Sequence, residues 1–279
     1  ASAPHLLAVI PTRNAGPALA TTLERLRPLS VLILDTASTD GTPKLARSHG
    51  AQVRPIAPEA FHHATTRNLA LEYPADWYLF LTQDAVPMDT RLVPTLLAAA
   101  ADPHIALVYG RHLPPPGSRP EEAFARLRHY PPHSHVRSQA DLPRLGIRTF
   151  FASNVCALYR GSVFRALGGF TPGLPTNEDM EFAARAILAG YRVAYCAQAC
   201  VWHAHRLGYR DLWRRYRAIG RFFAAHPWIT QAAGPLSGEG MAYVRAELAH
   251  LLRVAPKAIP RALLARAVQY RAFRSTHRL

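Results

Sequence analysis

Three acids in this 279-residue chain stand where a carboxylate can do chemistry: Asp35, Asp84 and Asp179. Asp35 closes the apolar run Val31–Leu34, and Asp84 follows the run Trp77–Leu81 after Thr82 and Gln83. A short continuous apolar run that ends on polar residues reads as a strand buried on both faces. Ligands of open α/β sheets gather beyond the carboxyl ends of such strands. Asp179 lies in Asn177-Glu178-Asp179-Met180-Glu181, where a helical pattern begins. Coming from separate elements, the three suit a composite site at a sheet edge. Asp35 is placed to accept from a base or ribose and Asp84 to hold a cation or substrate. Two of them also have a structural reading: Asp84 can cap a helix at Asp89–Ala101, and Glu178-Asp179-Glu181 can complement a helix dipole.

Other groups narrow the chemistry. His203 and His205 are two apart at a strand end and face one side in extended geometry. Cys196 and Cys200 lie close by, but a single strand cannot wrap its own residues around a tetrahedral zinc ion. His62 and His63 read as exposed helix-start residues, and Phe150 and Phe151 as core. No Gly-x-Gly-x-x-Gly follows Leu6–Ile10 and no Walker lysine motif occurs, so bound phosphate would meet metal and arginine rather than a glycine loop.

The elements that must position these groups alternate. Strands are expected at Leu6–Ile10, Val31–Leu34, Ala51–Ile56, Trp77–Leu81, Ile105–Tyr109, Thr149–Tyr159 and Tyr191–Trp202. Helices are expected at Ala18–Leu26, after Thr42, at His62–Leu71, Thr90–Ala101, Ser162–Leu167 and Asn177–Ala189. Alternation with short connections predicts an α/β domain with a largely parallel sheet. Leu113–Arg148 carries seven prolines and reads as an irregular surface excursion, a substrate-binding or lid region. From Tyr209 the pattern is helical, broken at Gly234–Gly240 and around Pro256 and Pro260. The expected division is a body over 1–205 and a basic helical extension over 206–279.

Charge follows that division. The chain has 33 basic residues, of which only Lys44 and Lys257 are lysine, and a formal net charge of +15. Fourteen of the basic residues fall after position 205, against Asp211, Glu239 and Glu247 alone. Arginine suits bidentate contact with phosphate, so phosphorylated substrates, anionic lipid and nucleic acid all enter as partners; arginine-rich genomic composition explains the same bias. The tail alternates Arg with Leu, Trp, Tyr and Phe, which suits an anionic membrane surface, helices packed on the body, or a second subunit in a homo-oligomer. No nucleic-acid motif accompanies the charge, and no nucleic-acid partner is expected. Cys156, Cys196 and Cys200 form no disulfide framework and fit a reducing compartment. With no signal-peptide core and no long apolar span, the expected location is cytoplasmic, peripheral on the inner face of the plasma membrane.

The motifs VIPTRN (9–14), LILDTASTDGT (32–42), ATTRNLA (64–70), LFLTQDA (79–85), GGF (168–170), NEDME (177–181) and AGYRVAY with VWHAH (189–205) occur in this order. Together they resemble an inverting family 2 glycosyltransferase with the GT-A fold: α/β, a mixed and mostly parallel central sheet, here followed by the basic C-terminal helical extension. VYGR (108–111), RLGI (144–147), FFASNV (150–155) and TQDA resemble, more narrowly, the bacterial rhamnosyltransferases that use dTDP-L-rhamnose to build O-antigen or related surface polysaccharide. The resemblance implies a nucleotide-sugar donor and a glycan or lipid-linked acceptor. It places Pro11, Thr12, Arg13, Asp35, Arg67 and Gln83 at the donor nucleotide. Asp84 would hold Mg²⁺ or Mn²⁺ at the diphosphate, with His203 or alternatively His205. Asp179 would be the general base, and Asn154 and Glu178 would lie near the sugar or acceptor. The first acid of the family's metal motif is absent, with Thr82 and Gln83 in its place, and one carboxylate binds a metal more weakly than two. The competing readings are a GT-A transferase for another nucleotide sugar, and a basic non-catalytic protein that binds anions, lipid or nucleic acid on a degenerate transferase fold.

Overall fold

The computed structural model describes residues 4–203, 207–235 and 239–276. Its first half alternates as expected: β1 (Leu6–Thr12), α1 (Ala18–Arg25), β2 (Ser30–Asp35), α2 (Thr42–Ser48), β3 (Gln52–Pro55), α3 (His63–Asn68) and β4 (Trp77–Leu81). A short β5 (Ala85–Pro87), α4 (Leu92–Ala99) and β6 (Ile105–Leu113) follow. Next come α5 (Pro120–His129), β7 (His135–Arg137), α6 (Leu142–Leu145), β8 (Cys156–Arg160), α7 (Gly161–Ala166), α8 (Glu178–Leu188) and β9 (Arg192–His203). The chain ends in α9 (Tyr209–Ala225), α10 (Pro227–Ala233), α11 (Glu239–Val254) and α12 (Ile259–Arg274).

The strands form one nine-stranded sheet in the order β3-β2-β1-β4-β8-β6-β9-β5, with β7 also on β9. β3, β2, β1 and β4 are parallel, as are β6 and β9; β8 runs antiparallel between β4 and β6. The sheet is therefore mixed and mostly parallel, as expected. Side chains alternate between two buried layers: Ala8, Ile10, Ile33, Leu79 and Leu81 on one face, Val9, Leu32, Leu34, Tyr78 and Phe80 on the other. On the second face Phe80, Tyr159, Phe164, Phe170 and Phe182 meet mostly edge to face, with ring centroids 5.0–5.9 Å apart. Each such pair adds about 0.5–1.5 kcal/mol beyond area burial. The cluster explains Phe170 of GGF and seats α8, which carries Asp179.

Three expectations are corrected. Leu113–Arg148 is not irregular: it holds α5, β7 and α6. Pro120 opens α5 at its first turn, where its missing N–H costs nothing, with Glu121 and Glu122 beside it and Arg126, Arg128 and His129 in the last turn. The strand expected at Thr149–Tyr159 begins only at Cys156; residues 146–150 are a 3-10 turn, and the backbone N–H of Asn154 is directed at Asp179 instead of a neighbouring strand. Asp84 caps no helix, because β5 intervenes and pairs antiparallel with β9.

The described part of 206–279 is helical throughout and packs on the body. Phe222, Phe223, Ile229 and Ala233 lie in the same buried cluster as the sheet. Arg261 of α12 forms two hydrogen bonds to Glu121 of α5, and Arg266 forms two to the buried Glu247 of α11. Among the described residues no helix is long and apolar enough to cross a membrane.

Candidate active site

The carboxyl ends of β1, β2 and β4 bring the first motifs together. Asp35 is buried and fully engaged: Oδ1 accepts the hydroxyls of Thr12 (2.8 Å) and Ser38 (2.5 Å), and Oδ2 accepts the Ser38 N–H (3.1 Å). The loops that follow these strands bend through the left-handed region at Asn14 (φ 51°) and Ala37 (φ 50°). Such a conformation costs a non-glycine residue roughly 1–2 kcal/mol. Cross-loop bonds hold it, with the Asn14 side chain accepting the Thr39 N–H and Asp40 accepting the Gly16 N–H. Pro11 and Arg13 lie on this rim. Gln83, expected at the nucleotide, clasps the Arg13 backbone: its Oε1 accepts the N–H at 2.8 Å and its Nε2 donates to the carbonyl at 3.2 Å.

Asp84 and His203 meet next to this rim. The β5–β9 register sets Ala85 opposite His203, so His203 Nε2 comes to 3.1 Å from Asp84 Oδ2. The His203 side chain is 6% exposed and the Asp84 side chain 36% exposed. One carboxylate oxygen and one imidazole nitrogen therefore converge at the edge of a cleft. Their separation is that of neighbouring ligands on an octahedral ion with bonds of about 2.1 Å. The donor set fits Mg²⁺ or Mn²⁺ with its other positions left to phosphate oxygens and water. Among the described residues no group of three or more His, Cys, Asp and Glu side chains is placed to hold a metal. His205 lies outside the described residues.

Behind His203 stands a residue that the sequence did not single out. His112 of β6 is fully buried, its ring stacked on Tyr130 at 3.8 Å and edge-on to His203 at 5.5 Å. Burial, then the neighbouring His203 and Arg126, push its pKa well below 6.5, so the ring is neutral.

Across the cleft, α8 starts at Asn177 in the left-handed conformation (φ 61°) and presents Glu178 and Asp179 in its first turn. Adjacent helical residues point about 100° apart, and the two carboxylates part accordingly. Glu178 turns inward to Arg67 of α3, with Oε1 3.2 Å from Nη1 and side chains only 8% and 5% exposed. Burial opposes its charge, yet Arg67, His63 and the Asn154 amide hold the Glu178 carboxyl below its ordinary range. Asp179 stays partly open to the cleft; its Oδ2 accepts the Asn154 N–H at 2.9 Å and its Oδ1 the Met180 N–H at 2.8 Å. Burial, then the charge of Glu178, raise the Asp179 pKa to about 6.

These contacts place three more of the expected site residues. Arg67 is buried against Glu178 and His63. Glu178 is enclosed by that contact. Asn154 is buried too, its amide donating to Glu178 and its carbonyl accepting the Tyr159 hydroxyl at 2.8 Å, so it braces α8. What remains is a carboxylate with a raised pKa in the first turn of α8 and an Asp–His pair at the end of β9. That is an arrangement for moving a proton from a nucleophile while charge on a departing phosphate is held.

The chain belongs to glycosyltransferase family 2, whose profile, Glycosyl transferase family 2, matches residues 7–168. The chain is an α/β glycosyltransferase of GT-A architecture. It is 40% identical over 269 residues to the O-antigen chain rhamnosyltransferase WbaN of Salmonella anatum, covering 94% of this chain and 85% of that protein. It is 41% identical over 264 residues to the O-antigen chain rhamnosyltransferase RfbN of Salmonella typhimurium, covering 92% and 84%. Among solved structures, the mannosyltransferase PcManGT of Pyrobaculum calidifontis in complex with GDP-Man and Mn²⁺ matches with TM-score 0.60 at 20% identity. That match covers 96% of this chain and 76% of that one, and it shows the fold.

Proposed function

We propose that this protein transfers L-rhamnose from dTDP-L-rhamnose, with inversion, to a hydroxyl of a lipid-linked or polysaccharide acceptor in O-antigen or surface-glycan synthesis. In this reading the body over 1–205 holds the donor and the extension over 206–279 completes the cleft and its attachments. The observation that carries the chemistry is Asp179: a cleft carboxylate held by two backbone N–H groups, with its pKa raised to about 6. A base with that pKa is ionised at neutral pH and still accepts a proton readily in the transition state. The acceptor oxygen attacks the anomeric carbon, its proton passes to Asp179, and the bond from that carbon to the diphosphate breaks with its electron pair. Asp84 and His203 are the residues that would hold Mg²⁺ or Mn²⁺, which when bound supplies Lewis-acid stabilisation of the diphosphate charge. Asp35, Thr12 and the Pro11–Arg13 rim enclose the nucleoside end. The rhamnosyltransferases WbaN and RfbN, similar over nearly the whole chain, support the choice of sugar. We also propose that the enzyme works on the inner face of the plasma membrane, its basic helices against anionic lipid.

The test is transfer with dTDP-L-rhamnose, UDP-glucose, UDP-N-acetylglucosamine and GDP-mannose offered to the same glycan acceptor. Turnover with dTDP-L-rhamnose at least tenfold above the others is expected. Equal turnover with all four, or none with any, overturns the proposed donor.

A further inference from the structure

Asn154 touches both adjacent carboxylates of α8, each through a different group. Its backbone N–H donates to Asp179 Oδ2 at 2.9 Å, and its side-chain Nδ2 donates to Glu178 Oε1 at 3.2 Å. An ionised carboxylate only accepts, so the amide nitrogen must face Glu178. The amide oxygen is thereby left to accept the Tyr159 hydroxyl at 2.8 Å. Asn154, Glu178 and Tyr159 are all buried. The Tyr159 ring is held edge-on by Phe80, Phe164, Phe170 and Phe182, and burial keeps its hydroxyl protonated and able to donate.

The segment that carries Asn154, residues 151–155, lies outside the helices and strands and leads into β8. The Thr82 N–H donates to its Val155 carbonyl at 3.2 Å, and the Cys156 N–H to its Ser153 carbonyl at 3.4 Å. The first of these bonds ties the segment to the residue that follows β4, two before Asp84. Neither bond sets the direction of the Asn154 N–H; the side chain does, because it is pinned at both ends. Asp179 has one backbone N–H on each oxygen, from Met180 and from Asn154. The Met180 N–H moves with α8. The Asn154 N–H comes from a separate segment, so it fixes the carboxylate relative to the sheet.

We infer that Asn154 is a positioning residue for the general base: its side chain, pinned between Tyr159 and Glu178, aims the backbone N–H that orients the Asp179 carboxylate for proton removal. The assignment rests on the transferase reading above. A base acts when its lone pair lines up with the acceptor O–H, and a displacement of about 1 Å costs about 10²-fold in rate. The same residue keeps the two carboxylates in separate roles. Glu178 is drawn to the amide and to Arg67, while Asp179 is held by backbone N–H groups. When the acceptor oxygen bonds to the anomeric carbon, its proton passes to Asp179 and the diphosphate leaves with the electron pair; Asn154 acts on that step through Asp179. The charged and titratable groups that act on Asp179 are Glu178 beside it, Arg67 of α3 with His63 against it, and Tyr159 and Tyr130, both kept neutral by burial. Asn154→Ala leaves all of them in place.

The test is release of dTDP from dTDP-L-rhamnose by the whole chain, with water as the acceptor, followed as a function of pH. The variants are Asn154→Ala, Tyr159→Phe, their double, and Phe164→Leu as a packing control. Asn154→Ala should lower kcat about 30-fold or more, with donor KM within about twofold of wild type. A carboxylate that loses an N–H donor is harder to ionise, so the acid limb should move up by about half a pH unit or more. The carboxyl carbon NMR shift of Asp179, titrated without substrate, should move with the limb. Tyr159→Phe should do the same to a smaller extent, and the double should be no worse than Asn154→Ala, because the two residues act through one series of bonds. Phe164→Leu, which loosens the ring cluster around Tyr159, should lower the melting temperature and leave the limb in place. Wild-type kcat with an unmoved Asp179 titration in Asn154→Ala overturns the inference. A raised donor KM at unchanged kcat also overturns it, since that places Asn154 on the donor. So does an equal limb shift in Phe164→Leu, which reduces Asn154 to general packing. If Asn154→Ala does not fold, the limb and the Asp179 titration of Tyr159→Phe decide, moved or unmoved. A wild type that releases no dTDP overturns the donor reading instead, and the substrate-free titration still reports on the contact.

Discussion

Glu178 and Asp179 are adjacent, chemically alike and electrostatically opposite. Glu178 has Arg67 and stays ionised; Asp179 has only N–H donors, sits beside Glu178, and is raised from 3.8 to about 6. The rate should follow Asp179: kcat is expected to be flat above pH 7 and to fall tenfold per unit below about pH 6, as the base takes its proton before the acceptor can offer one. Asp179→Asn should remove that acid limb and lower kcat by about 10²–10⁴, with donor KM within threefold of wild type. Initial rates across pH 4.5–8.5 check both; a variant turning over near the wild-type rate would remove Asp179 from this role. Stability moves the other way. A carboxyl with a raised folded-state pKa gains its proton first in the native state, so its penalty is present above pH 6 and disappears as pH falls toward 4. At pH 7.5, Asp179→Asn should therefore unfold about 1–3 kcal/mol later in urea, and the difference should vanish near pH 4. Arg67→Met makes the contrast, since it strands a buried carboxylate and should cost about 3–5 kcal/mol. Adding Glu178→Gln to it should restore part of that loss in the same titration.

Elements show which parts of this arrangement a sequence can carry. β1, β2 and β4 were legible because strands buried on both faces need continuous apolar runs, and Asp35 and Asp84 because acids at the ends of such runs are conspicuous. The Asp84–His203 meeting was expected only through the family resemblance; its physical cause, the three-residue β5 on β9, is too short to leave a pattern. α5 was hidden by its flanking prolines, and the meeting of His112 with Tyr130 and His203 depends on long-range packing. α9 is placed by α12 at Gly220, where an added Cβ would stand 2.7 Å from the Phe273 carbonyl. Beside it the Thr276 hydroxyl donates to the Arg217 carbonyl at 3.2 Å. Gly220→Val should force the helices apart, costing about 1–3 kcal/mol from overpacking and exposing α12 to limited proteolysis. A urea titration alongside proteolysis checks whether both changes occur together.

Across the whole molecule, charge and apolar exposure coincide on the helical end. Glu121 and Glu247 neutralise Arg261 and Arg266, but Arg210, Arg214, Arg221, Arg253, Arg271 and Arg274 remain exposed. Asp211 faces Arg214 at 3.7 Å, where solvent screens the pair. Tyr209 and Trp213 of α9, with Leu264 and Tyr270 of α12, are large apolar side chains left exposed on the same helices. Tyr209, Arg210, Trp213, Arg214 and Val268 line one shallow groove. Aromatic rings flanked by arginine match a lipid interface, where rings settle at headgroup depth and guanidinium groups meet phosphate. Each arginine near such a surface contributes about 1 kcal/mol. The full-length protein is therefore expected to sediment with vesicles containing about one-third phosphatidylglycerol, and not with pure phosphatidylcholine. Arg210→Gln and Arg214→Gln should each reduce partitioning about fivefold, Trp213→Ala should reduce it further, and about 0.5 M salt should release the wild type by screening. Transfer to a soluble acceptor should be unaffected in these variants. Equal sedimentation with neutral vesicles would refute membrane docking. So would a salt-resistant dimer in analytical ultracentrifugation that Trp213→Ala dissolves, because the face would then belong to a second copy of the chain.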